Sequence, residues 1–312
     1  MEATANLVKT GAPVAKKRLG QHFLKDAGMV DRIVRWMAPA PDQAFVEIGA
    51  GTGALSTHLA EKAAALVAVE LDEDCLPVLE KALAPFDGAS VVAGDILSLD
   101  FAGLVAERLP ASPSGLRLRV AGNLPYNIGT AIIEKLLHCE FADGTRIDAM
   151  FFMLQLEVAE RILARPGTKE YGYLSVMCRH RAEARMGFKV PPACFAPRPK
   201  VMSAVVSLHP KGRAGGGAGG GGGATVAGAG GEGDAARRPP AWDAAWESDF
   251  EDLVKAGFAH RRKTLANSLS RSPRFGAVAP RLLAEARIDG ARRAESLAVA
   301  EYERLADVLR RL

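Results

Sequence analysis

The sequence predicts an α/β fold: a mostly parallel, Rossmann-like sheet with helices on both faces, followed by a small all-α domain at the C-terminal end. Three observations support this prediction. A glycine-rich turn, Gly49-Ala50-Gly51-Thr52-Gly53, joins a strand-like apolar run to a helical run. Further short apolar runs alternate with helical patterns as far as Leu208, which is typical of βαβ units. From Trp242 onward the apolar residues recur at helical spacing.

Length and composition place the chain among globular enzymes. Its 312 residues allow one large domain or two ordinary ones, and 48% hydrophobic residues are ample for a core. We find no apolar run of about 18 residues and no signal-peptide pattern at the N-terminus, so we expect a cytoplasmic protein without membrane contact. The 4 cysteines are widely spaced without a CxxC pair, which indicates neither a zinc site nor a disulfide framework.

Charge is segregated along the chain. Residues 36–153 carry a net charge of −9, whereas residues 1–35, 154–236 and 237–312 carry +4, +5 and +4. Basic segments on either side of an acidic middle favour a cationic surface for phosphates. Solvated helix faces would give the same pattern, and for the last segment we prefer that explanation.

The first elements lead into a nucleoside-binding pattern. A basic cluster, Lys16 to Asp26, precedes a helix that stops before Pro39. A strand, Phe45 to Ile48, then enters the glycine turn, and the next strand ends at Glu70, 21 residues beyond Gly49. In such βαβ units the glycines let the main chain approach a ligand, and the acid binds ribose hydroxyls.

Two further strands end in polar residues. The strand Ser90 to Ala93 is followed by Asp95, and the strand Leu116 to Ala121 by Asn123. Because ligands bind at the carboxyl ends of parallel strands, we expect Gly49, Glu70, Asp95 and Asn123 to share one pocket. Asp95 could instead only cap the following turn.

The stretch Asn123-Leu124-Pro125-Tyr126 suits a planar amine. The Asn123 side chain and the Leu124 carbonyl can accept the hydrogens of an exocyclic amine and localise its lone pair, and Tyr126 can stack on a base. An ordinary turn after a strand remains open as an alternative. Nicotinamide dinucleotide would leave this stretch without a role, so S-adenosylmethionine is the cofactor that fits better.

These motifs resemble those of the KsgA-type ribosomal RNA adenine dimethyltransferases, from Lys17 to the C-terminus except a glycine-rich insert. The resemblance implies a Rossmann-like class I methyltransferase sheet. It also implies an enzyme that transfers methyl groups from S-adenosylmethionine to adenosine N6 without a metal. The cofactor contacts it implies fall on His22, Leu24, Gly49, Glu70, Asp95 and Asn123. The family often has asparagine where this chain has His22.

The resemblance also implies a role for the proline-rich stretch around Phe195. The equivalent phenylalanine of the family packs on the target adenine. We therefore expect Phe195 opposite Tyr126, as an aromatic clamp for a flipped base. The alternative is a core phenylalanine.

Four segments are predicted: a disordered start (1–15), a methyltransferase domain (16–208), a glycine-rich linker (209–241) with 13 glycines over 212–233, and a helical rRNA-binding domain (242–312). His260 to Lys263 in the last domain would contact phosphates. The expected partner is the small ribosomal subunit with its 16S rRNA, and the expected oligomeric state is a monomer.

The predicted function is dimethylation of N6 on two adjacent adenosines in a 3′-terminal hairpin of 16S rRNA. Asn123, Leu124, Tyr126 and Phe195 are its predicted catalytic residues. One alternative is a large-subunit rRNA adenine methyltransferase that gives antibiotic resistance. Another is a ribosome-assembly or nucleic-acid-binding factor without turnover.

Overall fold

The computed structural model of the chain describes residues 13, 15–109, 116–211, 243–260 and 262–312, apart from the side chain of Lys17. The predicted disordered start and the glycine-rich linker lie almost wholly outside these residues, as does Arg261. The described chain divides into two compact units, the first reaching Arg165 and including Met177–Pro210, the second comprising Pro166–Val176 and the chain from Lys211 onward. The predicted domain boundaries stay a prediction.

The first unit alternates strands and helices. Its elements are β1 (Phe23–Leu24), α1 (Ala27–Met37), β2 (Gln43–Ile48), α2 (Ser56–Lys62), β3 (Ala65–Glu70), α3 (Leu76–Leu83), β4 (Ala89–Ala93), α4 (Phe101–Arg108), β5 (Arg117–Asn123), α5 (Gly129–Leu137), β6 (Ile147–Gln155), α6 (Leu156–Leu163), α7 (Tyr173–Arg181), β7 (Ala182–Val190), β8 (Phe195–Ala196) and β9 (Ser203–Pro210). The unit boundary falls within α7.

Seven of the strands described above form one sheet, in the order β4-β3-β2-β5-β6-β9-β7. Strands β2 to β6 are parallel, and β9 and β7 are added antiparallel. The order reverses between β2 and β5, so a crevice opens there at the carboxyl ends of the strands. The predicted α/β class is confirmed, although the sequence did not predict β7.

Local chemistry explains how α1 begins and ends. Asp26 caps the helix by accepting the Met29 amide over 2.7 Å. Ala38 adopts the left-handed conformation at φ 46°, which ends the helix before Pro39. The helix buries Val30, Ile33, Val34 and Met37 against the sheet, as its spacing predicted.

A separate two-stranded ladder brings distant segments together. Strand β1 pairs antiparallel with β8, placing Phe23 opposite Ala196 and Leu24 opposite Phe195. The Lys25 amide extends the pairing with a 2.9 Å bond to the Cys194 carbonyl. The ladder therefore fixes the N-terminal segment beside the segment that leads into β9.

The second unit is helical, as predicted, and contains α8 (Ala244–Phe258), α9 (Leu265–Ser270), α10 (Ala279–Glu285) and α11 (Val299–Leu309). Asp243 caps α8 by accepting the Trp246 amide over 2.8 Å. Phe250, Leu265 and Tyr302 are fully buried in its core.

Candidate active site

The glycine turn follows β2 and adopts a conformation that side chains disfavour. Gly51 has φ 57°, and a Cβ there would lie 3.2 Å from the Phe23 ring. The amides of Gly49 and Ala50 both point at the Val69 carbonyl, at 2.9 and 3.2 Å. The turn is therefore held against the end of β3, with its main chain open to a ligand.

Glu70 ends β3 and is only 6% exposed. Its two carboxylate oxygens accept the amides of Gly51, over 2.6 Å, and Asp72, over 2.8 Å. A carboxylate oxygen can accept more than one hydrogen bond, so both remain able to accept from a pair of hydroxyls. The same bonds fix the carboxylate in one orientation.

Asp95 follows β4, as the sequence predicted. One of its oxygens accepts the Leu97 amide over 2.9 Å, so it does cap the following turn. Its side chain also contributes to the cavity described below. The capping and ligand-binding explanations are therefore compatible.

Asn123 ends β5, and its Nδ2 donates to the His22 carbonyl over 2.7 Å. A carbonyl can only accept, so this bond determines which end of the amide is the NH₂ group. The amide oxygen remains as an acceptor. Leu124 follows, with its amide bonded to the Met153 carbonyl over 3.1 Å, and is 1% exposed.

The ring of Tyr126 is positioned from two sides. Its hydroxyl shares a 2.6 Å hydrogen bond with that of Ser203, which is fully buried. The His22 ring lies 5.1 Å away between centroids, tilted by 32°. His22 Nδ1 in turn donates to the Pro197 carbonyl over 2.7 Å. Burial raises the pKa of Tyr126, against the opposing effect of the Ser203 bond.

These residues surround one cavity of about 220 Å³ at the crevice in the sheet. It brings together seven predicted site residues: His22, Gly49, Glu70, Asp95, Asn123, Leu124 and Tyr126. The residues predicted to bind ribose and an amine therefore line the same cavity, and their roles toward these ligands stay predictions.

Two predicted site residues lie elsewhere. Leu24 and Phe195 are 7% and 1% exposed and belong to the hydrophobic core, and neither contributes to the cavity wall. Pairing of β8 with β1 turns the Phe195 side chain inward. The predicted aromatic clamp is therefore not formed in this structure, and the ring beside Tyr126 is that of His22.

Sequence reasoning missed the polar cluster around Asp72. This residue is 2% exposed and binds Lys16 Nζ and, over 2.8 Å, Gln21 Nε2. Burial alone would raise the pKa of Asp72, but these hydrogen bonds outweigh burial and lower it. The cluster attaches the segment that forms one cavity wall to the loop after β3.

Glu47 is a second group that the sequence did not single out. It lies in β2 beneath the glycine turn and is 2% exposed, and its Oε2 has no hydrogen-bond partner among the described residues. Burial raises its pKa to about 8; the nearby Ser56 opposes this shift and the Glu70 charge adds to it. Its neighbours in the strand are apolar, so the sequence did not indicate a buried acid with a raised pKa here.

The described residues contain no group of three or more metal-ligating side chains. They also contain no helix long and apolar enough to cross a membrane.

The strand order and the flanking helices are those of the Rossmann-like class I methyltransferase fold. A dimethyladenosine transferase from Plasmodium falciparum is similar with a TM-score of 0.66, at 19% identity over 93% of this chain and 98% of that one. The 23S rRNA methyltransferase ErmE is similar with a TM-score of 0.58, at 24% identity over 92% of this chain and 99% of that one. At these identities the likeness concerns the fold alone.

Sequence relationships define the family. The family model for ribosomal RNA adenine dimethylase matches residues 13–214. The ribosomal RNA small subunit methyltransferase A of Chromohalobacter salexigens is 40% identical over 294 residues, 94% of this chain and 90% of the relative. The chain belongs to the ribosomal RNA adenine dimethylase family.

Proposed function

We propose that the protein uses S-adenosylmethionine to dimethylate N6 of two adjacent adenosines in a 3′-terminal hairpin of 16S rRNA, during small-subunit biogenesis in the cytoplasm. Family membership supports the reaction class, and relatives named for the small subunit support the substrate. The observation on which the proposal chiefly rests is the fixed amide of Asn123, which leaves its oxygen as an acceptor in the cavity.

The residues around the cavity fit the cofactor. The glycine turn lets the main chain approach it, Glu70 would accept the ribose hydroxyls, and Asp95 would accept from the adenine amine. Leu71, an apolar side chain that is 44% exposed at the cavity, would cover one face of the adenine. When bound, the cofactor would supply a methyl group on its sulfonium sulfur for direct displacement by the target amine, with the neutral thioether as the leaving group.

Asn123 and Leu124 would hold the target amine. Their oxygens accept its two hydrogens, so the lone pair no longer delocalises fully into the ring and becomes nucleophilic. Most of the acceleration would come from this positioning. No strong base is needed, because the amine becomes acidic as it is alkylated and its proton can pass to water. A monomethylated amine keeps one hydrogen for an acceptor, so the same site can add the second methyl group.

Tyr126 would stack on the target base while Ser203 holds its hydroxyl. The role of Phe195 stays a prediction. Because its ring is 1% exposed, it can reach a base only if β8 moves away from the core.

The two alternatives make different predictions about the product. A large-subunit enzyme would need the same amine site, and the fold is shared with ErmE at 24% identity. The 40% identity to a small-subunit methyltransferase favours the small subunit. A factor without turnover would not require a fixed acceptor amide in the cavity.

Labelled S-adenosylmethionine, offered with undermethylated small subunits, large subunits or naked rRNA, tests the proposal. We expect label in small-subunit RNA, recovered as N6,N6-dimethyladenosine at adjacent positions. Label in large-subunit RNA would favour the antibiotic-resistance alternative. Binding to small subunits without label would favour the assembly factor.

A further inference from the structure

Lys135 lies on α5 and contacts the turn that carries Asp95. Its ammonium group donates to the main-chain carbonyls of Leu97, over 2.9 Å, and Leu99, over 2.5 Å. Both acceptors belong to the turn between β4 and α4, 38 and 36 positions earlier in the chain. The reaction proposed above assigns Lys135 no role, and nothing in the sequence indicated these contacts.

The partners of Lys135 are not those of an ordinary surface lysine. A lysine in the last turn of a helix can offset the partial negative charge of that end while remaining in solvent. Lys135 is only partly exposed, and within the described part of the chain no acid forms an ion pair with it. An ammonium has three donors and no acceptor. Two of its donors are therefore engaged by a single turn of the main chain.

The turn is also closed by hydrogen bonds of its own. One Asp95 side-chain oxygen accepts the Leu97 amide over 2.9 Å, and the Asp95 carbonyl accepts the Leu99 amide over 3.0 Å. These bonds define the shape of the turn, because each joins residues within it. The bonds from Lys135 join the turn to a different element, so they limit how far the Asp95 carboxylate can move relative to α5.

Helix α5 begins shortly after the stretch from Asn123 to Tyr126. Its Ile132 is 1% exposed and lines the cavity, and Lys135 follows three positions later on the same side of the helix. Residues 95–97 of the turn line the cavity too, whereas Lys135 does not. Lys135 therefore supports, from behind the wall, the side of the cavity proposed to bind the cofactor adenine.

We propose that Lys135 is a positioning residue for the cofactor, which holds the Asp95 carboxylate where it can accept from the adenine amine. The proposal rests on the proposed function, from which the adenine contact of Asp95 is taken. An acceptor that is already held in place binds more tightly, because less motion is lost when the ligand arrives.

The acceptors proposed for the target amine are held by other bonds. Asn123 is fixed by the His22 carbonyl, and the Leu124 amide by the Met153 carbonyl. Loss of the Lys135 ammonium should therefore appear in the affinity and the KM for S-adenosylmethionine much more than in kcat.

Three variants test this division. Lys135→Met keeps the aliphatic length but removes the donors, and Lys135→Arg supplies donors again. Lys81→Met changes an exposed cation of α3 and is the matched control. Calorimetry without RNA should show S-adenosylmethionine binding weakened by about threefold to tenfold in Lys135→Met. Lys135→Arg should recover most of that loss, and Lys81→Met should match the wild type.

A cofactor analogue tests whether the effect passes through Asp95. The analogue has hydrogen in place of the adenine amino group, so it cannot donate to the carboxylate. Removing that amine should weaken binding to the wild type more than binding to Lys135→Met, because the variant has already lost part of the contact. A lysine that only stabilises the fold would give equal losses for both proteins.

Hydrogen exchange follows the turn in the protein without ligand. The Leu97 and Leu99 amides should exchange faster in Lys135→Met than in the wild type. The Gly51 amide, which donates to Glu70, should keep its rate and serves as the internal reference.

The inference would be overturned if Lys135→Met bound the cofactor as Lys81→Met does, if the analogue gave equal losses, or if exchange in the turn were unchanged. A lower kcat and melting temperature with unchanged affinity would identify a residue that only stabilises the fold. If Lys135→Met does not fold, Lys135→Gln, which keeps an uncharged donor, replaces it in each comparison. A wild type that does not bind S-adenosylmethionine would instead contradict the proposed function.

Discussion

Asn123 donates its side-chain amide to the main-chain carbonyl of His22, 101 positions earlier, over 2.7 Å. The bond joins the end of β5 to the segment that precedes β1. Each residue thereby fixes the other: the N-terminal wall of the cavity is held in place, and the amide is held with its acceptor free. This relationship gives the first prediction.

Replacing Asn123 should impair chemistry more than binding. Asn123→Ala removes the acceptor, and we expect kcat to fall by about 10²-fold, the scale seen when one preorganised polar group is lost. Asn123→Asp keeps acceptors but cannot donate to the His22 carbonyl, so it should also be impaired. Single-turnover methylation and RNA affinity are measured together. Methylation by Asn123→Ala at the wild-type rate would show that the amine site lies elsewhere.

Glu70→Gln should weaken cofactor binding. Both carboxylate oxygens accept main-chain amides, so a glutamine must place its NH₂ group opposite one of those donors. We expect a loss of about 1–3 kcal/mol, measured by calorimetry with S-adenosylmethionine. Glu73→Gln, at an exposed position three residues later, is the matched control. Equal affinities for both variants would contradict the ribose assignment.

Tyr126→Phe and Ser203→Ala each remove one side of the same hydrogen bond. Tyr126→Phe leaves the Ser203 hydroxyl without its partner. Because Ser203 is fully buried, this should cost about 1–3 kcal/mol of stability. The double variant should be less destabilised than the sum of the two, since it leaves neither hydroxyl behind. Denaturant unfolding measures this. Strict additivity would mean that the two hydroxyls do not interact.

Glu47 should make stability depend on pH. Burial raises its pKa from 4.5 to about 8 in the folded state, so between these values the folded protein binds the extra proton. Its contribution is fully favourable below pH 4.5 and is lost as pH rises toward 8, by at most about 1.4 kcal/mol per pH unit. Glu47→Gln mimics the protonated group and should gain stability over the wild type with rising pH.

Unfolding curves from pH 5 to 9 check this, with Glu61→Gln, which changes an exposed acid of α2, as control. A constant difference between Glu47→Gln and the wild type across that range would show that Glu47 is already charged in the folded protein.

The sequence predicted the sheet apart from β7, and seven of the residues that line the cavity, because those features depend on local pattern. Glu70, Asp95 and Asn123 each follow a recognisable apolar strand, and parallel strands present their carboxyl ends at one edge. Phe195 was different. The resemblance placed its ring opposite Tyr126, whereas a two-residue pairing with β1 turns the ring into the core. Nothing local to either strand signals that pairing.

The Asp72 cluster escaped notice for a related reason. Lys16 and Gln21 lie in a basic stretch that is typical of a solvent-exposed segment before a helix. Asp72 lies among other acids. Only the fold shows that they meet. Glu47 was hidden by its apolar neighbours, since a buried acid in a strand has no pattern of its own.

The ladder between β1 and β8 has a consequence for synthesis. The N-terminal wall of the cavity leaves the ribosome first, yet β1 has no partner strand until Phe195 and Ala196 have emerged, and Tyr126 has no hydroxyl partner until Ser203 has. A nascent chain that ends before β9 therefore holds the glycine turn and Glu70 but not the closed cavity. Cofactor affinity should therefore arise late in translation. The enzyme can first bind its cofactor when the whole first unit has left the ribosome, and not when the glycine turn alone has done so.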